Sequence, residues 1–272
     1  MVTTLLLPRL LNAAEGSANR AVAVAWRNMA AAKHLTYWLV LASGFVEPVL
    51  YLLSIGVGVG GFINGFTLTG GHRISYAEFV APAMLGTSAM NGAFAETSMN
   101  FFGKMKYRKL YDAVICTPVT PFEIASGELL WGLLRGSAYS GAFLVVMVVA
   151  GLTTPLRAVC AFPVTVLVGI AFGSIGMLAG TFLRSWQGFD YLMTATVSMF
   201  LFSGTFAPID TYPGAVRFLI ELTPLYHGVA AIRGLTTWSI GLDLVGNLAY
   251  LVLVAGVTLW TAARRVRRAL CP

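Results

Sequence analysis

Two carboxylates stand inside runs of apolar residues: Glu47, beside Pro48, and Glu96, near Asn91. A carboxylate at mid-bilayer costs about 2.5–3.5 kcal/mol, so such a group faces a wet cavity or a partner. Two kinds of chemistry suit the pair. They can relay protons or line a polar path, or they can fix helix packing through internal hydrogen bonds. Pro48 frees backbone groups that need partners, which favours packing for Glu47. Arg135 is a candidate counter-charge. The other reactive types give less. His34, His72 and His227 are scattered, and Cys116, Cys160 and Cys271 form no C-x-x-C, so neither a metal site nor a disulfide framework follows. No H-E-x-x-H or G-x-S-x-G occurs, and no catalytic residue is assigned. Gly56, Gly58 and Gly61 spell G-x-G-x-x-G, but without the strand and βαβ unit that a dinucleotide site requires. A G-x-x-x-x-G-K-[ST] motif is absent, so ATP is not expected to bind this chain directly.

These residues are carried by a very apolar chain. Of its 272 residues, 57% are hydrophobic and 11% charged, less than half the charge of an ordinary soluble domain. That excludes a disordered chain and argues against a soluble enzyme. Six apolar runs, at about 35–60, 79–102, 129–151, 158–182, 188–207 and 244–262, are each long enough to cross a bilayer. The fifth is only just so. The basic residues gather at alternate ends of these runs. Arg9, Arg20, Arg27 and Lys33 precede the first, and Lys104, Lys106, Arg108 and Lys109 follow the second. Arg184 follows the fourth, and Arg264, Arg265, Arg267 and Arg268 follow the sixth. Only Arg73, Arg157, Arg217 and Arg233 fall on the other side. The net charge of +7 therefore reads as membrane topology, with both termini cytoplasmic, rather than as affinity for nucleic acid.

The segments outside the spans carry their own patterns. Over 18–34, Arg20, Arg27 and His34 recur every seven residues opposite Val22, Trp26 and Met29. That is an amphipathic helix suited to the cytoplasmic interface. In the loop 104–128, Leu110, Val114 and Ile115 repeat at helical spacing and Pro118 stops the run, so a short helix over this basic loop is expected. Such a helix either rests on lipid headgroups or docks a cytoplasmic partner. Over 208–234, Pro208, Pro213 and Pro224 punctuate an apolar stretch too short to span, which predicts a re-entrant or interfacial hairpin at the outer face. Gly169, Gly173, Gly176 and Gly180 share one face of the fourth run and suit close packing within the bundle.

In combination these residues resemble the membrane subunit of ABC-2 type transporters, and in particular the nodulation-factor export and daunorubicin-resistance permeases. The likeness lies in Ser203-Gly204, Phe206-x-Pro208, Pro213, Pro224-Leu225-x-His227 and Arg233. It extends to Glu47–Leu53 in the first run, to Phe79–Met84, Ser88–Asn91, Phe94 and Glu96 in the second, and to Thr117–Thr120 with Gly127-Glu128. Ala207 and Tyr226 depart from the common forms. The resemblance covers nearly the whole chain.

It implies one all-α, six-span transmembrane domain over residues 1–272, in a bacterial cytoplasmic membrane. Two such permeases, the same chain or a paralogue, would pair with two ATPase subunits that bind ATP and Mg. Contacts to the ATPase would come from Arg20, Arg27, Tyr107, Arg108, Lys109, Leu110, Asp112 and Val114. An outer hairpin with Pro208, Pro213, Pro224, His227 and Arg233 would shape the exit. The substrate, a glycolipid, lipid-linked saccharide or hydrophobic drug, would pass along spans one, two and five, near Glu47, Asn91, Phe94, Glu96, Phe200 and Phe206. Phe101 and Trp131 are further aromatic candidates for stacking with it. The competing readings are a stand-alone proton-coupled transporter using Glu47 and Glu96, against which no inverted repeat is visible, and a scaffold that recruits a cytoplasmic partner.

Overall fold

A computed structural model describes residues 3–32, 46, 48–54, 58, 66–67, 73–238 and 241–270. Glu47 and His34 lie outside the described residues, as does most of the expected first span. Helix α1 covers Thr3–Ala31. A two-residue antiparallel ladder, Phe66–Thr67 (β1) with Arg73–Ile74 (β2), is the one β pairing among the described residues. The remainder is helical: α2 Tyr76–Ala95, α3 Leu110–Ile115, α4 Pro121–Val149, α5 Pro155–Phe182, α6 Gly188–Leu201, α7 Gly214–Glu221, α8 Pro224–Thr236 and α9 Leu242–Leu270.

Local sequence sets the helix starts. The Ser75 hydroxyl accepts a hydrogen bond from the Glu78 amide, and the Glu78 carboxylate accepts one from the Ser75 amide, closing a capping box on α2. Thr120 and Glu123 repeat that device on α4. Pro121, Pro155 and Pro224 occupy first-turn positions where no amide hydrogen is needed. Beyond Ala95 the chain continues through two wider π-helical turns, Glu96–Asn100 and Gly103–Tyr107. Thr97 and Ser98 donate back to the carbonyls of Ala93 and Phe94 there. Such bulges concentrate at functional positions.

Among the described residues three helices, α4, α5 and α9, are long and apolar enough to cross a membrane, and α7 with α8 adds a fourth if that bent pair counts as one span. At 28–29 residues each, the three long helices reach about 43 Å. The expected fifth span differs from its reading. It is helical only over the 14 residues Gly188–Leu201, about 21 Å. The hydroxyls of Ser203 and Thr205 both donate to the Phe200 carbonyl, and Gly204 turns the chain with φ +69°. The left-handed glycine and the two hydroxyls together close the C-terminal turn of the helix.

The segment expected to form the outer re-entrant or interfacial hairpin is a pair of helices, α7 and α8, bent by 82° at the break between them, a geometry common to a broken span and a re-entrant loop. Helix α8 enters the core, where Leu225, Val229 and Ile232 are fully buried with Val80, Leu85 and Val168. Arg233 pins it by donating to the carbonyls of Phe79 (3.1 Å) and Gly204 (2.9 Å), with its guanidinium 3.9 Å from the Phe79 ring centre.

The glycine stripe on α5 serves packing within the bundle. A Cβ at Gly176 would stand 2.7 Å from the Thr97 hydroxyl, one at Gly173 2.7 Å from Leu129, and one at Gly180 3.1 Å from the Ser98 carbonyl. Helices α2 and α4 meet through Gly92 and Gly136 in the same way. Bare backbone at these points lets three helices approach closely where apolar lipid offers no hydrophobic drive.

Candidate functional site

The basic segments of the chain meet at one end of the bundle. A cluster of Phe101, Met105, Tyr111, Ile124, Leu129, Met177, Ala262 and Val266 joins the end of α2, α3, the start of α4 and the ends of α5 and α9 there. Above it lies a chain of ion pairs. Arg20 of α1 holds Glu123 of α4 with two bonds, Nη2 to Oε1 at 2.7 Å and Nε to Oε2 at 3.0 Å. Arg27 donates to Glu128 Oε1 at 3.0 Å. Lys104, on the second π turn, donates to Glu128 Oε2 at 2.7 Å, to Asn28 Oδ1 at 3.2 Å and to Glu96 Oε1 at 3.4 Å. Glu96 Oε2 accepts from Arg135 at 2.9 Å and from Asn100 at 2.7 Å. Arg135 in turn donates to the Tyr139 hydroxyl at 2.8 Å. Glu128 and Glu96 are buried, with side chains 0% and 4% exposed.

Charge inside an apolar protein persists only when paired. Here Arg27, Lys104 and Arg135 surround two buried carboxylates, and none of the five side chains is loose. The result is a clamp. Helix α1 cannot leave α4 without taking Arg27 from Glu128 and Arg20 from Glu123. Close packing reinforces it, since a Cβ at Gly127 would fall 2.6 Å from the Ala21 carbonyl and from Val24. On α1, Val24 and Ala25 face the protein, while Val22 and Trp26 face outward.

Below the clamp sits the predicted basic loop. Helix α3 is a single turn and a half, entered through left-handed backbone at Lys109 (φ +46°). Leu110 and Val114 are half-buried. Tyr111 is fully buried 5.4 Å from the Phe101 ring. Burial first, and then the Glu128 carboxylate, push the Tyr111 phenol well above its ordinary pKa, so it stays protonated. Tyr107, Arg108, Lys109 and Asp112 are exposed. Tyr107 stacks on Trp186 at 5.4 Å, and Phe102 packs edge-on against Tyr107, Trp186 and Phe189. Four rings therefore tie this loop to the connection between α5 and α6.

A second feature lies away from the charges. A cleft of about 160 Å³ is walled by Pro48 and Tyr51, by Met84, Thr87, Met90 and Asn91 of α2, by Thr196, Val197, Phe200 and Leu201 of α6, and by Phe206. Phe200 meets Phe206 and Tyr51 edge-on at 5.4 and 6.1 Å. The structure thus brings Asn91, Phe200 and Phe206 together on one apolar wall with polar points. It places Phe94, Phe101 and Trp131 elsewhere, each buried in helix packing. Glu96 belongs to the clamp and not to the cleft wall. At the opposite end from the basic loops, Pro208 and Pro213 precede the short turn Ile209–Thr211 and α7, and Pro224 opens α8. His227 stacks on Tyr250 at 4.0 Å, its ring nitrogens 2.7 Å from Asn247 Oδ1 and the Glu221 carbonyl. No cluster of metal-ligating side chains occurs among the described residues.

Glu123, Glu128 and Lys104 are the residues that sequence reading did not assign to the site. The available signal was a pair of carboxylates in the first two turns of an otherwise apolar helix, next to a basic loop.

Comparison with known proteins agrees with this architecture. Residues 20–237 match the family described as ABC-2 type transporter. Nodulation protein J of Rhizobium meliloti (strain 1021) is 29% identical over 253 residues, 92% of this chain and 91% of that protein. Nodulation protein J of Rhizobium leguminosarum bv. viciae is 31% identical over 77% of both chains. Inner membrane transport permease YadH of Escherichia coli (strain K12) is 22% identical over 69% of this chain and 72% of that protein. The matched region runs from Arg20 of the clamp to the end of α8, and the chain belongs to the ABC-2 type transporter family.

Proposed function

We propose that this chain is the membrane subunit of an ATP-driven exporter. A separate ATPase hydrolyses ATP with Mg, and the chain gives an amphipathic molecule its route out of the cytoplasm or the inner leaflet. In this reading the chain is one domain of six spans in a bacterial cytoplasmic membrane. The clamped end and both termini face the cytoplasm, and two permeases assemble with two ATPase copies.

The observation that carries the proposal is the clamp. It joins an interfacial helix and a basic turn to the spans through paired charges, and leaves Tyr107, Arg108, Lys109 and Asp112 exposed at the same end. A push on that turn reaches α2 through Lys104–Glu96 and α4 through Lys104–Glu128. The cleft between Tyr51, α2 and α6 then supplies an apolar wall with a few polar points. That surface suits a glycolipid, a lipid-linked saccharide or a hydrophobic drug.

The pairing of Glu96 with Arg135 and Lys104 speaks against the proton-coupled alternative. The Glu96 carboxylate is taken up in an internal network with Arg135, Asn100 and Lys104 and does not line the cleft. The test is charge reversal at the exposed turn. Arg108→Glu with Lys109→Glu should leave the chain folded and abolish co-purification of the ATPase from mild detergent. Unchanged recovery of the ATPase would remove the docking role from this turn.

A further inference from the structure

The groove at the charged end of α9 is explained by neither the clamp nor the cleft. Its volume is about 380 Å³, and Gly256, Leu259, Trp260, Ala263, Arg264 and Arg267 line it on α9, with Phe122 of α4 opposite. The α9 residues recur at three- and four-residue intervals and form one stripe. Along that stripe the chemistry changes once, from apolar (Gly256, Leu259, Ala263) to cationic (Arg264, Arg267). The distance from Gly256 to Arg267 is about 16 Å at 1.5 Å per residue. That matches half of a hydrocarbon core roughly 30 Å thick.

The cations of the groove are held ready. The Arg264 guanidinium lies 3.6 Å from the centre of the Trp260 ring. Neither Arg264 nor Arg267 pairs with a carboxylate among the described residues, where Glu96, Glu123, Glu128, Asp210 and Glu221 take their cations elsewhere. Arg265, between them, turns inward instead, to the Thr181 hydroxyl at 3.0 Å and the Phe182 ring. The groove walls Phe122 and Trp260 are both more than half exposed. Helix α9 is also the least buried of the three long apolar helices, so this face looks out of the bundle.

We propose that the groove binds one anionic phospholipid. An acyl chain lies along Gly256, Leu259 and Ala263 between Phe122 and Trp260, and the headgroup phosphate rests on Arg264 and Arg267. A guanidinium fork matches phosphate oxygens in pairs. The apolar-to-cationic order along the stripe is the order of a lipid read from tail to head.

The experiment uses the full chain purified from nanodiscs holding equal phosphatidylglycerol and phosphatidylcholine, with retained lipid read by native mass spectrometry. Wild-type protein should keep phosphatidylglycerol in preference to phosphatidylcholine. Arg264→Gln with Arg267→Gln should cut that retention about thirtyfold, from the usual contribution of a basic residue at an anionic surface. Gly256→Leu separates occupancy from charge. A Cβ at Gly256 meets nothing within 4 Å, so the leucine fills the groove without disturbing the protein and should also lower retention. Arg268→Gln, outside the groove, should leave it unchanged. Equal retention of both lipids, or loss on Arg268→Gln alone, would show an unspecific lipid shell and overturn the site. A changed oligomeric state on Gly256→Leu with lipid retention intact would show a second chain on this face, and would overturn it too.

Discussion

Replacing Glu128 with Gln tests the clamp at its centre. The Glu128 side chain is wholly buried and each of its oxygens meets one cation, Arg27 at 3.0 Å and Lys104 at 2.7 Å. Gln keeps the shape, removes the charge and turns an NH2 donor toward one of two donors. Removing one partner of a buried pair ordinarily costs about 3–5 kcal/mol. Here the cost is smaller. Arg27 is 34% exposed, so water takes up part of its charge, and Lys104 keeps Glu96 at 3.4 Å. About 2–3 kcal/mol remains, a 30- to 150-fold shift, roughly, in the docking equilibrium of α1. Amide hydrogen exchange read by mass spectrometry measures it. Residues 20–31 should exchange faster by about that factor, while α5 stays protected. Adding Lys104→Met should return part of the loss, because the same substitution removes the stranded cation. Unchanged exchange over 20–31, or independent costs for the two substitutions, would refute the clamp.

Three further outcomes follow from the same contacts. Glu96→Gln should lower the thermal unfolding midpoint in detergent, and any transport it loses should be lost equally with and without a proton gradient; a loss confined to gradient-driven transport, with an unchanged midpoint, would restore a proton-carrying role to Glu96. Gly176→Ala places a methyl 2.7 Å from the Thr97 hydroxyl and 2.9 Å from the Phe94 carbonyl. It should cost about 1–3 kcal/mol, checked by denaturation midpoint against Gly256→Ala, which meets nothing and should be neutral. Arg233→Met strips two carbonyl groups of their donor. It should cost about 2–4 kcal/mol and loosen α8, checked by proteolysis within residues 204–236.

Much of this architecture was legible in the sequence. Apolar runs gave the long helices, because a lipid-crossing helix must carry about 20 apolar residues whatever its neighbours are. The α5 glycines announced close packing because few other residues allow it. The basic loops do gather at one end. What escaped was pairing at a distance. Arg20 and Glu123 are 103 positions apart, and Arg27 and Glu128 are 101 apart. No local pattern marks two such residues as partners, so Arg20 and Arg27 read as contacts for lipid or an ATPase, and Glu96 as part of the path. Phe94, Phe101 and Trp131, expected along the substrate path, are buried in helix packing, which the sequence hid for a related reason. An aromatic ring in an apolar run has the same local appearance whether it faces a cleft or a neighbouring helix. The early end of α6 depended on the Ser203 and Thr205 hydroxyls reaching back to Phe200, which hydropathy alone does not register.

The most direct test of an ATP-driven exporter is purification of the tagged chain in mild detergent, with its partners weighed and ATP hydrolysis assayed. The account predicts a stoichiometric subunit carrying a G-x-x-x-x-G-K-[ST] motif and vanadate-sensitive hydrolysis, both lost with Arg108→Glu and Lys109→Glu. A chain that purifies alone from several gentle detergents, and in vesicles moves substrate on a proton gradient without ATP, would contradict it.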